Sequence, residues 1–352
     1  MKNEAYIILF LLLSTTVSIA QNTPINESKF ISIGGIEQWI TIQGKDRSKP
    51  VVLFIHGGPG STMSQYDDTM YGEWKNDFVL VNWDQRGAGR TYGRNVPPTV
   101  DEAYFIENPL TVKQMTKDGI ELVQYLIQYL NQEKIILVGT SWGSVLGTEM
   151  ALSNPEHFYA YVGHAQFVNF SKNIGHAYQA TYKMVKNSND LESIEKLESL
   201  GKPPYTSAKD YGQLLRIVKK YERKNSTPPP ATWFKLASEY DNEKDGAHRY
   251  DGDDYSFVHF VGHGILGIES MVSDIDFNKS GTEFKIPVYL IQGENDILTA
   301  MEVNKPYFDK IVAPDKAYFV IPDAGHGHNQ AVVEKQYQVV KMSITGKLND
   351  QN

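Results

Sequence analysis

Two hydrophobic rhythms alternate along this chain. Phe30–Ile33 and Ile36–Ile42 alternate apolar and polar positions around Gly34-Gly35, which predicts an antiparallel hairpin. Val51–Ile55, Phe78–Trp83, Ile135–Val138, Phe158–Val162, Ile286–Ile291 and Ala317–Ile321 are short apolar runs that read as strands, the continuous ones buried on both faces. Between them the period lengthens. Leu110–Leu130 repeats its apolar residues at helical spacing with Thr111 placed as an N-cap, a second helix runs from Val145 to a stop at Asn154-Pro155, and a last one covers about Ala331 to Ile344. Residues 169–282 break the alternation. They are mostly helical and polar, with a run at Pro228-Pro229-Pro230 and an acidic patch from Glu239 to Asp254. Strand–helix alternation interrupted once by a helical block predicts a parallel α/β sheet carrying an inserted lid. No internal repeat or long low-complexity tract disturbs this picture.

The chemistry sits where strands end, which is where open α/β sheets place it. The run Ile135–Val138 leads into Gly139-Thr140-Ser141-Trp142-Gly143, the G-x-S-x-G spacing of a nucleophile elbow. A sharp strand-to-helix turn lifts the Ser141 Oγ above the sheet. Glycines two residues to either side remove Cβ atoms that would collide as strand and helix close on each other. Taken alone, the motif is also compatible with a Gly-rich turn holding an incidental serine. Three further segments narrow the choice: His56-Gly57-Gly58-Pro59-Gly60 after an early strand, Gly293-Glu294-Asn295-Asp296 after the strand ending at Ile291, and Ala324-Gly325-His326-Gly327 after the strand ending at Ile321. The order Ser141, Asp296, His326 is the Ser…Asp…His order of a hydrolase triad. In that arrangement His326 takes the Ser141 proton, and Asp296 holds the imidazole tautomer and stabilises the imidazolium. Backbone N–H groups must meet the oxyanion of the tetrahedral intermediate, and those of Gly58 and Trp142 are the candidates.

Three segments resemble the prolyl iminopeptidase branch of the α/β-hydrolases: His56–Gly60, Asp84-Gln85-Arg86-Gly87-Ala88-Gly89-Arg90 and Gly139-Thr140-Ser141-Trp142-Gly143-Ser144. The likeness spans roughly residues 30–168 and 284–345 and is faint over the lid. It implies an α/β-hydrolase fold with a mostly parallel eight-stranded sheet under a helical cap. The corresponding division is hydrolase core at 21–168, cap at 169–282 and core again at 283–352. The resemblance further implies Ser141, Asp296 and His326 as the triad, no metal or other cofactor, and Arg86 bracing loops near the site. In that family a cap tryptophan–glutamate pair helps present a carboxylate to the substrate's amino group. Here the nearest stretch is Thr232-Trp233-Phe234-Lys235, with Phe234 where a glutamate would be wanted. Trp233, Glu239 and Asp241 are therefore the cap candidates for substrate contact.

Other residues have a plain reading beside a functional one. His326 and His328 are two apart, but no further ligand stands at metal spacing, so His328 reads as a surface or supporting residue. His259 and His263 could share a helix face, but lack the Glu of an H-E-x-x-H pair and read as lid packing. Asp241, Glu243, Asp245 and Gly246 imitate a calcium loop, yet its twelfth position would be Gly252, so the stretch reads as a solvated acidic loop. Trp142 would add an aromatic wall to its N–H, or else belong to the core. His164 and Gln166 either look into the pocket or form a hinge to the lid.

Totals change the picture in two ways. The chain has 352 residues, no cysteine and a formal net charge of −8, which argues against nucleic acid as a partner and excludes disulfides, Cys-zinc sites and a lipid-anchored cysteine. Lys2 ahead of an apolar Tyr6–Leu13, then Ser18-Ile19-Ala20, reads as an export signal cleaved after Ala20, with a retained N-terminal anchor as the alternative. Its apolar part is short for a membrane span. An exported chain without disulfides implies a bacterial periplasmic or secreted enzyme. The sequence thus predicts an exported serine hydrolase acting on a small molecule or short peptide, first an aminopeptidase, second a carboxylesterase. A binding protein on a hydrolase fold is the remaining reading, and an intact Ser141/Asp296/His326 set counts against it.

Overall fold

The computed structural model describes residues 23–66 and 68–345, so the candidate signal segment lies outside the described residues. Its centre is one eight-stranded sheet in the order β1-β2-β4-β3-β5-β6-β7-β8. β1 (Ile25–Ile33) and β2 (Ile36–Gly44) form the antiparallel hairpin, turning at Gly34-Gly35 with Ile33 opposite Ile36. β2 then runs antiparallel to β4 (Val79–Asp84). From there every neighbouring pair is parallel: β4 with β3 (Val51–Ile55), β3 with β5 (Ile135–Thr140), β5 with β6 (Phe158–His164), β6 with β7 (Val288–Gly293) and β7 with β8 (Lys316–Ile321).

Period-two alternation divides each central strand between two cores. Val51, Leu53 and Ile55 of β3 and Ile135 and Leu137 of β5 face one layer, while Val52, Phe54, Ile136 and Val138 face the other. Among the described residues six helices belong to this framework: α1 (Gly89–Asn95), α2 (Glu102–Glu107), α3 (Val112–Leu130) and α4 (Trp142–Ser153) before the lid, and two after it. α3 and α4 cover the first layer through Leu122, Leu126, Val145 and Met150. Thr111 caps α3 by accepting the Gln114 N–H at 3.2 Å.

Between β6 and β7 lie α5 (Phe170–Asn187), α6 (Leu191–Leu200), α7 (Ala208–Lys224), α8 (Glu243–Val261) and the single turn α9 (Phe277–Ser280). Their apolar faces, among them Ile174, Leu214, Val218 and Tyr255, merge with the first core layer, so the cap is joined to the sheet's own hydrophobic cluster. α10 (Met301–Lys310) and α11 (Gln330–Thr345) complete the chain, α11 covering the second layer with Val332, Val333, Val339 and Val340.

The structure departs from the sequence reading in the acidic patch. From Glu243 onward it is the helix α8 and no loop. The Asn242 side chain accepts the Asp245 N–H at 2.9 Å, and Glu243 and Asp245 place negative charge in the first turn, where the helix dipole favours it. The helix ends at Gly262 with φ of 82°, so His259 lies on it and His263 lies beyond it. His259 is buried against Phe105 and Tyr255, as a packing residue.

Candidate active site

Ser141 occupies the turn between β5 and α4 with φ of 54° and ψ of −119°, a conformation a non-glycine residue takes only under constraint. Its surroundings supply that constraint. The Ser141 N–H donates to the His164 carbonyl at 2.9 Å, and the Ser144 hydroxyl donates to the Ser141 carbonyl at 2.6 Å. A Cβ on Gly139 would come within 2.5 Å of the Gly143 oxygen, and one on Gly143 would run into the Ile55 carbonyl. The two glycines are therefore a steric requirement of the turn.

Ser141, His326 and Asp296 converge although 185 and 30 residues separate successive members. The His326 Nε2 stands 2.8 Å from the Ser141 Oγ, and its Nδ1 stands 3.1 Å from the nearer Asp296 oxygen. Asp296 is buried and accepts backbone N–H groups from Leu298 at 2.9 Å and Thr299 at 2.8 Å, plus the Thr299 hydroxyl at 2.6 Å. Burial alone would raise its pKa, but the imidazole and these donors outweigh it and hold the carboxyl below the usual range. Burial alone would lower His326; the facing Asp296 charge outweighs that and raises it above its ordinary 6.5.

The loop after β3 lies directly over Ser141: a Cβ on Gly57 would sit 3.3 Å from the Ser141 Cβ. Gly57 and Gly58 line the pocket, and the Trp142 N–H belongs to the first turn of α4, where no intrahelical acceptor exists. The Trp142 side chain differs from the aromatic wall expected of it. It is fully buried, and its Nε1 donates to the Gln85 Oε1 at 2.9 Å. Gln85 in turn donates to the His56 carbonyl at 3.0 Å, so one side chain ties the glycine loop to the elbow.

The pocket above Ser141 encloses about 280 Å³. α5 contributes Phe170 and Ile174, α7 contributes Leu215 and Lys219, and α8 contributes Asp253, Phe257 and Phe260. Asp253 is held at the glycine loop: the Ser61 hydroxyl donates to it at 3.0 Å, and a Cβ on Gly60 would lie 2.6 Å from its Cα, an approach only glycine permits. Burial pushes the Asp253 carboxyl up, and Ser61 and Lys219 pull against it.

The cap candidates named from sequence are elsewhere. Trp233 is buried in the second core layer, and the neighbouring Phe234 is exposed against Tyr66. Glu239 lies 3.8 Å from the guanidinium of Arg90, and Asp241 is exposed; neither lines the pocket. Arg90 explains the placement, because it donates to the Glu239 carbonyl and to both oxygens of Asp245 and stacks on Tyr240, pinning this stretch to the core. Gln166 is buried in a hinge, accepting from Tyr161 at 2.7 Å and donating to the Phe167 carbonyl at 2.8 Å. Arg86 braces the Gly34 turn and Asp118 of α3 and is not among the pocket's lining.

Glu222, like Lys219 and Asp253, was not singled out in the sequence. Glu222 of α7 is buried and accepts the His326 N–H at 2.9 Å and the Ile297 N–H at 3.4 Å, so one cap carboxylate touches both the loop that carries His326 and the loop that carries Asp296. Burial raises its pKa, with Asp296 adding to the rise. His328 is half-buried in the pocket lining, a supporting place; it packs against His164, their ring centroids 4.7 Å apart, and desolvation lowers its pKa to about 4. His164 is fully buried and its pKa falls well below 6.5, so neither ring carries a charge near neutral pH. Among the described residues no group of three or more His, Asp or Glu is arranged to hold a metal ion.

Comparison with known proteins agrees with this architecture. Residues 50–328 match the model of the alpha/beta hydrolase fold family. The chain belongs to the α/β-hydrolases. This hydrolase is 26% identical over 319 residues to the probable aminopeptidase YbaC of Bacillus subtilis, covering 85% of this chain and 90% of that protein. It is 23% identical to a probable proline iminopeptidase of Leptolyngbya boryana over 87% of this chain and 91% of the relative. The crystal structure of the proline iminopeptidase of Mycobacterium smegmatis superposes with a TM-score of 0.59 at 15% identity, covering 90% of this hydrolase and 98% of that chain. Among the described residues no helix is long and apolar enough to cross a membrane.

Proposed function

We propose that this hydrolase is an exported serine aminopeptidase of the prolyl iminopeptidase type, cleaving short peptides or amino-acid amides that carry a free N-terminus. The observation that carries the reading is the continuous relay from the Ser141 Oγ through His326 to a buried, multiply hydrogen-bonded Asp296. In this mechanism His326 removes the Ser141 proton as the Oγ attacks the substrate carbonyl. Asp296 stabilises the imidazolium, and the N–H groups of Gly58 and Trp142 receive the oxyanion. The C–N bond breaks as His326 returns the proton to the leaving nitrogen. Water then hydrolyses the acyl-enzyme by the same relay and regenerates the Ser141 hydroxyl. Asp253 is the pocket carboxylate placed to accept the substrate ammonium, in the role assigned from sequence to Glu239 and Asp241. The aminopeptidase names of two relatives that cover most of this chain support the same choice.

A carboxylesterase acting on small esters is the second reading, favoured by the aromatic lining of Phe170, Phe257 and Phe260. Proline anilide and a matched short-chain ester, assayed with wild type and Ser141→Ala, separate the two. Anilide turnover that disappears in the mutant and weakens on N-acylation of the substrate supports the aminopeptidase. Ester turnover alone overturns it. Export is part of the proposal and rests on residues 1–20; finding the native protein in the cytoplasm with Met1 retained would refute it.

A further inference from the structure

The helix α7 lays a single stripe along the site. Leu215, Lys219 and Glu222 stand at i, i+4 and i+7, so their side chains share one face. Glu222 at the end of that stripe receives the N–H of His326 at 2.9 Å. Lys219 is one turn earlier, roughly 5–6 Å away between Cβ atoms, and lines the pocket. Its neighbour Lys220 pairs with Asp190 at 2.7 Å, whereas Lys219 makes no hydrogen bond or ion pair among the described residues. Its charge is nevertheless felt at both His326 and Asp253.

Lys219 is exposed at the pocket, one turn from the Glu222 that holds the His326 loop, and Asp253 stands at the glycine loop. The leaving nitrogen must lie at the His326 Nε2, because that atom supplies its proton. In a peptide, a single Cα separates this nitrogen from the carboxylate of a C-terminal residue. The acyl side must lie toward the glycine loop, where Ser61 holds Asp253. Asp253, Ser141 and Lys219 all line this pocket, and a dipeptide presents to them an ammonium, a scissile carbonyl and a carboxylate respectively. The volume of about 280 Å³ lies at the small end of ligand sites, which run to roughly 300–1,000 Å³, and suits a ligand of about two residues.

We propose that Lys219 anchors the α-carboxylate of the leaving amino acid, so that the preferred substrates are dipeptides free at both ends. This rests on the aminopeptidase reading and adds to it the leaving-group side.

Direct binding tests it independently of turnover. Prolyl-alanine and prolyl-alanine amide are titrated calorimetrically into Ser141→Ala, and into the same protein carrying Lys219→Met or Lys219→Arg. The free acid should bind about tenfold more tightly than the amide, Lys219→Met should bring the two to equal affinity, and Lys219→Arg should keep the preference. Equal binding in Ser141→Ala, a preference that survives Lys219→Met, or no measurable binding of either peptide overturns the proposal. Turnover of the same peptides by wild type reports separately on the parent reading. If neither is cleaved while an ester is, the aminopeptidase assignment falls and the affinity ratio still decides the role of Lys219.

Discussion

The floor and the walls of the pocket are made in different ways. Ser141, Asp296 and His326 follow β5, β7 and β8, and adjacent parallel strands place those turns along one edge of the sheet. The walls come from α5, α7 and α8, where a residue reaches the site only if its helix is rotated correctly. The acidic stretch from Glu239 to Asp254 makes the contrast concrete. It holds many carboxylates; Asp253 is the one in the lining, because it shares a helical face with Phe257 and Phe260. On the floor, position along the strand decides function; on the walls, helical phase does.

Perturbing the floor should therefore cost catalysis, and perturbing the walls should cost selection or tuning. Ser141→Ala should lower turnover by roughly 10⁴–10⁶ with an unchanged circular dichroism spectrum; near-normal activity would remove the mechanism. Asp296→Asn should cost about 10⁴ in kcat through the wrong imidazole tautomer, and a loss below about tenfold would assign the acid elsewhere, with Glu294 the first alternative. On the walls, Asp253→Asn should raise KM for free-amine substrates by about 10–100-fold while sparing N-acylated substrates and simple esters. An equal loss on all of them would make Asp253 structural.

Glu222 joins the two regions, and its effect should be the smallest and the most pH-sensitive. His326 must be neutral to accept the Ser141 proton, and its pKa is raised above 6.5, so wild-type kcat/KM should fall as pH drops through a midpoint above 6.5. The negative charge of Glu222 favours the imidazolium and contributes to that rise. Glu222→Gln should then move the acid limb to lower pH and reduce kcat by about tenfold, with KM for the same substrate little changed. A change in stability with an unmoved pH profile would leave Glu222 as a brace between loops and nothing more.

Much of the core was legible for steric and periodic reasons. The fully buried runs of β3, β5 and β7 can only be strands covered on both faces, and the hairpin follows from alternation around Gly34-Gly35. The elbow was legible because Gly139 and Gly143 are required by atoms they nearly touch. Trp142 was half legible: its place after Ser141 implied its N–H, but its ring is claimed by Gln85, a contact across 57 residues. The cap resisted because polar helices carry little periodic contrast, and Arg90 draws Glu239 and Asp245 to the core by contacts some 150 residues apart.

By itself the sequence determined the alternation of strands and helices, the turn that exposes Ser141 and the order in which Asp296 and His326 follow, because these depend on local sterics and on the period of side chains along each element. Only the tertiary structure decided that Glu222 caps the His326 loop, that Asp253 reaches the pocket where Glu239 does not, and that Lys219 lines it too. Those outcomes depend on how each cap helix is rotated about its axis against the sheet. That rotation is set by the packing of all its neighbours at once.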